Sequence, residues 1–162
     1  LLAIAYLEAH QLTQKDIYKR VAEKILAYVM REMKQRQGGF YSAQDADSEG
    51  VEGKYYVFTP SEIVTLLGEQ DGTYLNNHFG ITENGNFEGA NIPNLLLNKD
   101  YEEPNSTIEV LNSKVYAYRK NRTILHKDDK ILTAWNALMI VAFAKAYRIF
   151  GKEEYLQEAK KA

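Results

Sequence analysis

Three carboxylates at alternate positions, Asp45, Asp47 and Glu49, lie within Gly38-Gly39-Phe40-Tyr41-Ser42-Ala43-Gln44-Asp45-Ala46-Asp47-Ser48-Glu49-Gly50. Paired glycines and aromatic residues flank them, on a stretch that reads as a loop between a long helix and a short strand. Loops held by rigid elements are where binding and catalytic groups concentrate. Two chemistries suit the pattern. Asp45-x-Asp47-x-Glu49-Gly50 matches the first half of an EF-hand calcium loop, but the twelfth position, where a carboxylate is required, is Tyr56. That disfavours an EF-hand and leaves an irregular calcium site needing ligands from elsewhere. Glycoside chemistry instead needs two carboxyl groups across a sugar bond, one protonated and one ionised. On that reading Asp45 or Asp47 is the acid or base, opposed by Asp129.

Asp128 and Asp129 precede a strongly helical pattern. Acidic residues in a first helical turn also complement the helix dipole, so a purely structural role competes with a catalytic or substrate-binding one. Glu88, in Asn86-Phe87-Glu88-Gly89, is a further candidate that would equally fix its own loop. Tyr41 and Trp135 are candidates for stacking on a sugar, although aromatic residues at such spacings more often fill a core. Asn136, beside Trp135, would need partners if buried. The three histidines, His10, His78 and His126, have no metal-ligand spacing. No phosphate-binding loop, dinucleotide fingerprint, nucleophile elbow or zinc-protease motif is present.

The elements that position these residues are mainly helical. The chain opens on Leu1-Leu2-Ala3-Ile4-Ala5-Tyr6-Leu7 and closes on Lys160-Lys161-Ala162. No capping residue marks the start and no C-cap glycine the end, which suggests a segment of a longer protein. The first eleven residues read as part of a helix. Thr13-Gln14-Lys15-Asp16 reads as a cap for a long helix reaching about Gln35, which Gly38-Gly39 ends. Nine of the ten glycines then fall between Gly38 and Gly89. In that window Phe40-Tyr41 and Lys54 to Phe58 are expected to pair as a hairpin across the acidic loop. Thr59-Pro60-Ser61-Glu62 starts a helix closed by Gly68, and a short helix follows from about Gly72 to Phe79. Asn98 to Asn105 reads as a connector. Helices are expected from Ser106 to Asn121, from Asp128 to Phe150, and from Glu153 onward, with Gly151 as a stop signal.

One repeat stands out. Ala5-Tyr6, Ala9, Leu12, Lys15-Asp16, Tyr18 and Ala22 recur as Ala142-Phe143, Ala146, Ile149, Lys152-Glu153, Tyr155 and Ala159, always 137 residues on. Two copies of a helix–turn–helix unit are the mark of stacked or toroidal helical architectures.

Bulk properties narrow the function. At 162 residues the chain has a single-domain length, able to bury a core. A net charge of −2 gives no case for nucleic acid, and no apolar run approaches a membrane span. With no cysteine, thiol redox chemistry and zinc–thiolate sites are excluded within this chain. No signal-peptide pattern is present, and a cytoplasmic location is expected. No cofactor is expected.

Four blocks, GGFYSAQDADSEG (38–50), GKYYVFT (53–59), GNFEGANI (85–92) and DDKILTAWNALMI (128–140), occur in this order. In them the chain resembles the YyaL-like, thioredoxin-domain-containing proteins of the spermatogenesis-associated protein 20 type. The resemblance implies a parent chain with a thioredoxin-like domain followed by an (α/α)6 toroid of six-hairpin glycosidase and 2-epimerase type. This chain would be an incomplete part of that toroid, one domain with a β-hairpin and loop insertion at about 38–98. Fold relatives act on sugars as hydrolases or epimerases, which implies a carbohydrate partner and carries acid or base roles to Asp45 and Asp47. Asp128 and Asp129 match the family's own DDK motif, while the epimerases' histidines have no counterpart here. Hairpin faces left uncovered in an isolated segment imply self-association. The alternative is a non-catalytic scaffold whose acidic loop is structural or binds calcium.

Overall fold

The computed structural model describes residues 1–162. Seven α-helices carry the fold: α1 (Leu2–Thr13), α2 (Asp16–Tyr28), α3 (Pro60–Leu67), α4 (Glu69–His78), α5 (Ser106–Arg122), α6 (Thr133–Phe150) and α7 (Glu153–Lys161). A π-helical turn, Val29–Met33, extends α2, and four two-residue strands complete the list: β1 (Ala43–Gln44), β2 (Asp47–Ser48), β3 (Val51–Glu52) and β4 (Lys127–Asp128). The chain divides into two compact units, residues 1–44 with 127–162, and residues 45–126. No helix is long and apolar enough to cross a membrane.

The first unit is two helical hairpins, α1–α2 and α6–α7, and the repeat read from the sequence is a structural one. α1 ends at Thr13 and α6 at Phe150, 137 residues apart. The residues after them, Gln14 and Gly151, both take the left-handed conformation, and their N–H groups close onto the carbonyls of His10 and Tyr147. Lys15 and Lys152 are then extended, and α2 and α7 begin at Asp16 and Glu153. Even the ion pair between α1 and α6 joins equivalent positions, Glu8 and Lys145. Leu7, Leu26 and Phe143 are fully buried between these helices with Ala22 and Ala146. Burying one such leucine or phenylalanine contributes about 1.5–3 kcal/mol. Phe40 joins this core, its ring stacked on Phe143 at 5.4 Å.

Three sequence expectations change here. Thr13 does not cap α2: its hydroxyl donates to Ala9 O and accepts the Lys15 N–H, closing α1 instead. α6 starts at Thr133, because Lys127–Asp128 is taken up by an antiparallel ladder with Ala43–Gln44. Asp128 and Asp129 therefore lie before the first helical turn, and the dipole account of them does not apply. Finally, Phe40-Tyr41 does not pair with Lys54–Phe58. Phe40 bridges to Lys34, and Phe58 bridges to Asn91.

The second unit packs α3, α4 and α5 around Phe58, Ile63, Leu75, Ile81, Ile108 and Leu111. Its first helix has the cap that its sequence announces: the Thr59 hydroxyl accepts the Glu62 N–H, and the Glu62 carboxylate accepts the Thr59 N–H. Asn105 caps α5 with its side-chain oxygen alone, which accepts the Ile108 N–H. Buried Asn91 holds the loop below, its amide bonded to Phe58 O and to both backbone groups of Thr82. The acidic loop carries its own small hairpin, β2 on β3, with Asp47 opposite Glu52 and Ser48 opposite Val51. That hairpin lies within the loop and does not span it.

Candidate functional site

In the first unit, the Gly38–Gln44 segment and the Lys127–Asn136 segment are drawn together by groups from both. Gly38 and Gly39 turn with φ of +115° and +83°, where a side chain is strained. A Cβ on Gly38 would fall on the carbonyl oxygen of Lys161. The turn delivers Phe40 to Asn136, which accepts its N–H at 2.7 Å and donates to its carbonyl at 3.0 Å. Two residues on, the Ser42 hydroxyl donates to Asp128 O at 3.3 Å, and the β1–β4 ladder follows. Tyr28, the last residue of α2, donates its hydroxyl to Gln44 Oε1 at 2.6 Å.

This junction forms one end of a groove of about 650 Å³, within the range of ligand sites. Tyr41, Ser42, Trp135 and Asn136 line it, with Tyr28, Val29 and Met33 from the α2 end and π turn, and Leu1, Leu2, Leu138 and Met139 from α1 and α6. Trp135 is 55% exposed, so it presents a ring to the groove and not to the core. Asn136 is 6% exposed, and its amide is fully committed: the nitrogen also donates to Leu132 O at 3.1 Å. The groove brings together Tyr41, Trp135 and Asn136, which were named from sequence. Tyr28, Ser42 and Met139 were missed as lining residues; Tyr28 carries the helical spacing of a core stripe, and nothing local signals the π turn that follows it.

The carboxylates named from sequence are held locally. Asp128 is half-buried and pairs with Lys130, whose Nζ lies at 2.7 Å and whose N–H it also accepts. That pairing, helped by Ser42, holds the Asp128 carboxyl below the usual range. Asp129 is exposed. In the second unit, exposed Asp45 accepts the Asp47 N–H with its side chain, while its own N–H donates to His126 O. Asp47 is exposed, its backbone bound into the β2–β3 hairpin. Glu49, left-handed at φ +55°, pairs with Lys54, and this ion pair and Thr123 hold its carboxyl low. Glu88 is exposed in a left-handed turn. No group of three or more His, Asp or Glu side chains converges to hold a metal ion.

Repeated helical hairpins and a joined pair of motif loops define the class: a mainly helical protein with an aromatic groove at a loop junction. No protein-family model matches the sequence. Spermatogenesis-associated protein 20 of Homo sapiens is 34% identical over 98% of this chain, and the Mus musculus protein of the same name is equally similar over the same extent. A Caenorhabditis elegans protein described as uncharacterised is 28% identical over 99% of the chain. The chain belongs to the spermatogenesis-associated protein 20 family. It spans about a quarter of the length of these relatives.

Proposed function

We propose that this chain supplies the aromatic wall of a carbohydrate-binding cleft within a helical-hairpin toroid of the six-hairpin type. The observation that carries the reading is that Tyr41 and Trp135 line one groove of about 650 Å³. Aromatic faces take up the C–H faces of sugars, while the hydroxyls of Tyr28, Tyr41 and Ser42 are of a kind to meet sugar hydroxyls. Of the carboxylates named from sequence, Asp129 lies in the unit that carries this groove and is the acid or base that the unit offers in the whole protein. Asp128 is assigned to substrate positioning and Asn136 to holding the Phe40–Tyr41 segment in place, with a thioredoxin-like domain elsewhere in the parent chain. Binding to the folded state raises the melting temperature by mass action. The test is a thermal-shift screen against mono- and oligosaccharides: a rise with one sugar class supports the cleft, and no rise with any opposes it.

A second reading is favoured by a different observation. The carboxylates bind their own loops and lysines, and aliphatic residues and methionine form half or more of the groove wall. On that reading the chain is a non-catalytic scaffold, and the groove seats a second copy of it. Sedimentation over a hundredfold range of protein concentration separates the two readings. A monomer throughout removes the scaffold version, and a dimer whose formation Trp135→Ser abolishes supports it.

A further inference from the structure

We propose that the second unit carries a separate site for a small organic acid, made of an apolar pocket with Arg119 at its edge. The pocket holds about 240 Å³, the space of about eight waters at about 30 Å³ each, so it has room for one ring or branched chain. Phe58, Ile63, Leu75 and Ile81 form the apolar part, and Asn112, Tyr116 and Arg119 are the polar residues on its wall. The α5 side is one helical stripe: Asn112, Val115, Tyr116 and Arg119 stand at i, i+3, i+4 and i+7.

Arg119 is the unusual member. It forms no ion pair, and its buried Nε has no hydrogen-bond partner, as is also true of the Arg122 Nε. Unlike Arg122, it spends no terminal nitrogen on a neighbouring carbonyl or carboxylate. Its guanidinium rests on aromatic rings, 4.6 Å from the Tyr55 centroid and 5.7 Å from that of Tyr116. Arg122, one turn along the same helix, shows what a structural arginine does in this unit. Its two terminal nitrogens donate to Val57 O, Lys54 O and Tyr55 O and to the Glu62 carboxylate, closing the gap between α5, α3 and the preceding loop. A half-buried guanidinium held by ring faces keeps its charge-assisted donors for a planar anion, which arginine binds with two parallel bonds. The apolar pocket selects the body of such a ligand and Arg119 its carboxylate. Asn112, on the same wall, supplies a neutral donor.

The experiment is an NMR titration of the full 162-residue chain with 3-phenylpropionate and, separately, with 3-phenylpropanol, its uncharged counterpart. The acid is expected to shift the methyl signals of Ile63, Leu75, Ile81 and Val115 and to bind at least tenfold more tightly than the alcohol. In Arg119→Leu, affinity for the acid is expected to fall at least tenfold while the alcohol is unaffected. Equal binding of acid and alcohol by the unaltered chain overturns the proposal, as does failure of the acid to perturb those methyl groups at millimolar concentration. An unchanged acid affinity in Arg119→Leu also overturns it. The acid–alcohol comparison stands on the unaltered chain should the variant not fold.

Discussion

The Asn136 amide accepts the N–H of Phe40 and donates to its carbonyl, taking the place of a strand neighbour for a residue 96 positions away. Both backbone groups would otherwise be buried without partners, since Phe40 lies in the core. Leaving a buried donor or acceptor unpaired costs about 1–3 kcal/mol. Asn136→Ala is therefore expected to destabilise the chain by about 2–4 kcal/mol, less than two full penalties because water can enter from the groove. Chemical denaturation measures this, and a loss under about 0.5 kcal/mol, the level of an ordinary surface change, contradicts the clamp.

The two hairpin turns give a prediction in the opposite direction. Gln14 and Gly151 occupy equivalent left-handed positions, and only one is a glycine. Gln14→Gly removes the Cβ cost of that conformation and is expected to stabilise by about 0.5–1 kcal/mol, whereas Gly151→Ala costs about 1 kcal/mol. Paired melting curves of the two variants check the signs. If both destabilise alike, the two turns are not equivalent.

How much of this was legible in the sequence depended on distance along the chain. The Thr59–Glu62 capping box, the Gly151 stop and the 137-residue echo are local signals, and the structure bears each out. Tyr41, Trp135 and Asn136, each singled out by residue type within two motif blocks, line one groove. What failed was set by partners far away. The sequence at Asp128-Asp129-Lys130 favours a helix start, but pairing of Lys127–Asp128 with Ala43–Gln44 holds it extended, so α6 begins at Thr133. Similarly, Phe58 ends a run of aromatic and β-branched residues that reads as a strand, yet its partner is Asn91, brought over by the buried amide network with Thr82. Arg119 could not be told from Arg122 by sequence, since the groups that engage Arg122, the Glu62 carboxylate and the carbonyls of Lys54, Tyr55 and Val57, lie more than fifty residues away.

The exposed ion pairs set the acid sensitivity. Lys145 holds the Glu8 carboxyl low, as Lys54 does Glu49 and Lys130 does Asp128. Each group binds its proton more weakly folded than unfolded, so its contribution is complete above the ordinary values of 4.5 and 3.8 and is lost as pH falls through the lower folded ones. The melting temperature is expected to be flat from pH 7 to about 5 and to fall below about 4, where these carboxylates take up protons. In Glu49→Gln the acid limb is expected to be shallower. Being exposed, the pairs are screened by salt, so 1 M sodium chloride should also flatten the limb. A melting temperature that rises on acidification contradicts the assignment.

Trp135 is the single tryptophan of the chain and lines the groove, so its fluorescence reports on that site alone. The most direct test is a titration of the chain with the sugar class chosen by the thermal-shift screen, following Trp135 emission, alongside Tyr41→Ala. The cleft reading predicts a saturable blue shift as the 55% exposed indole is covered, with at least fivefold weaker binding in Tyr41→Ala. An unchanged emission at saturating sugar, or equal affinity in the two proteins, would contradict it.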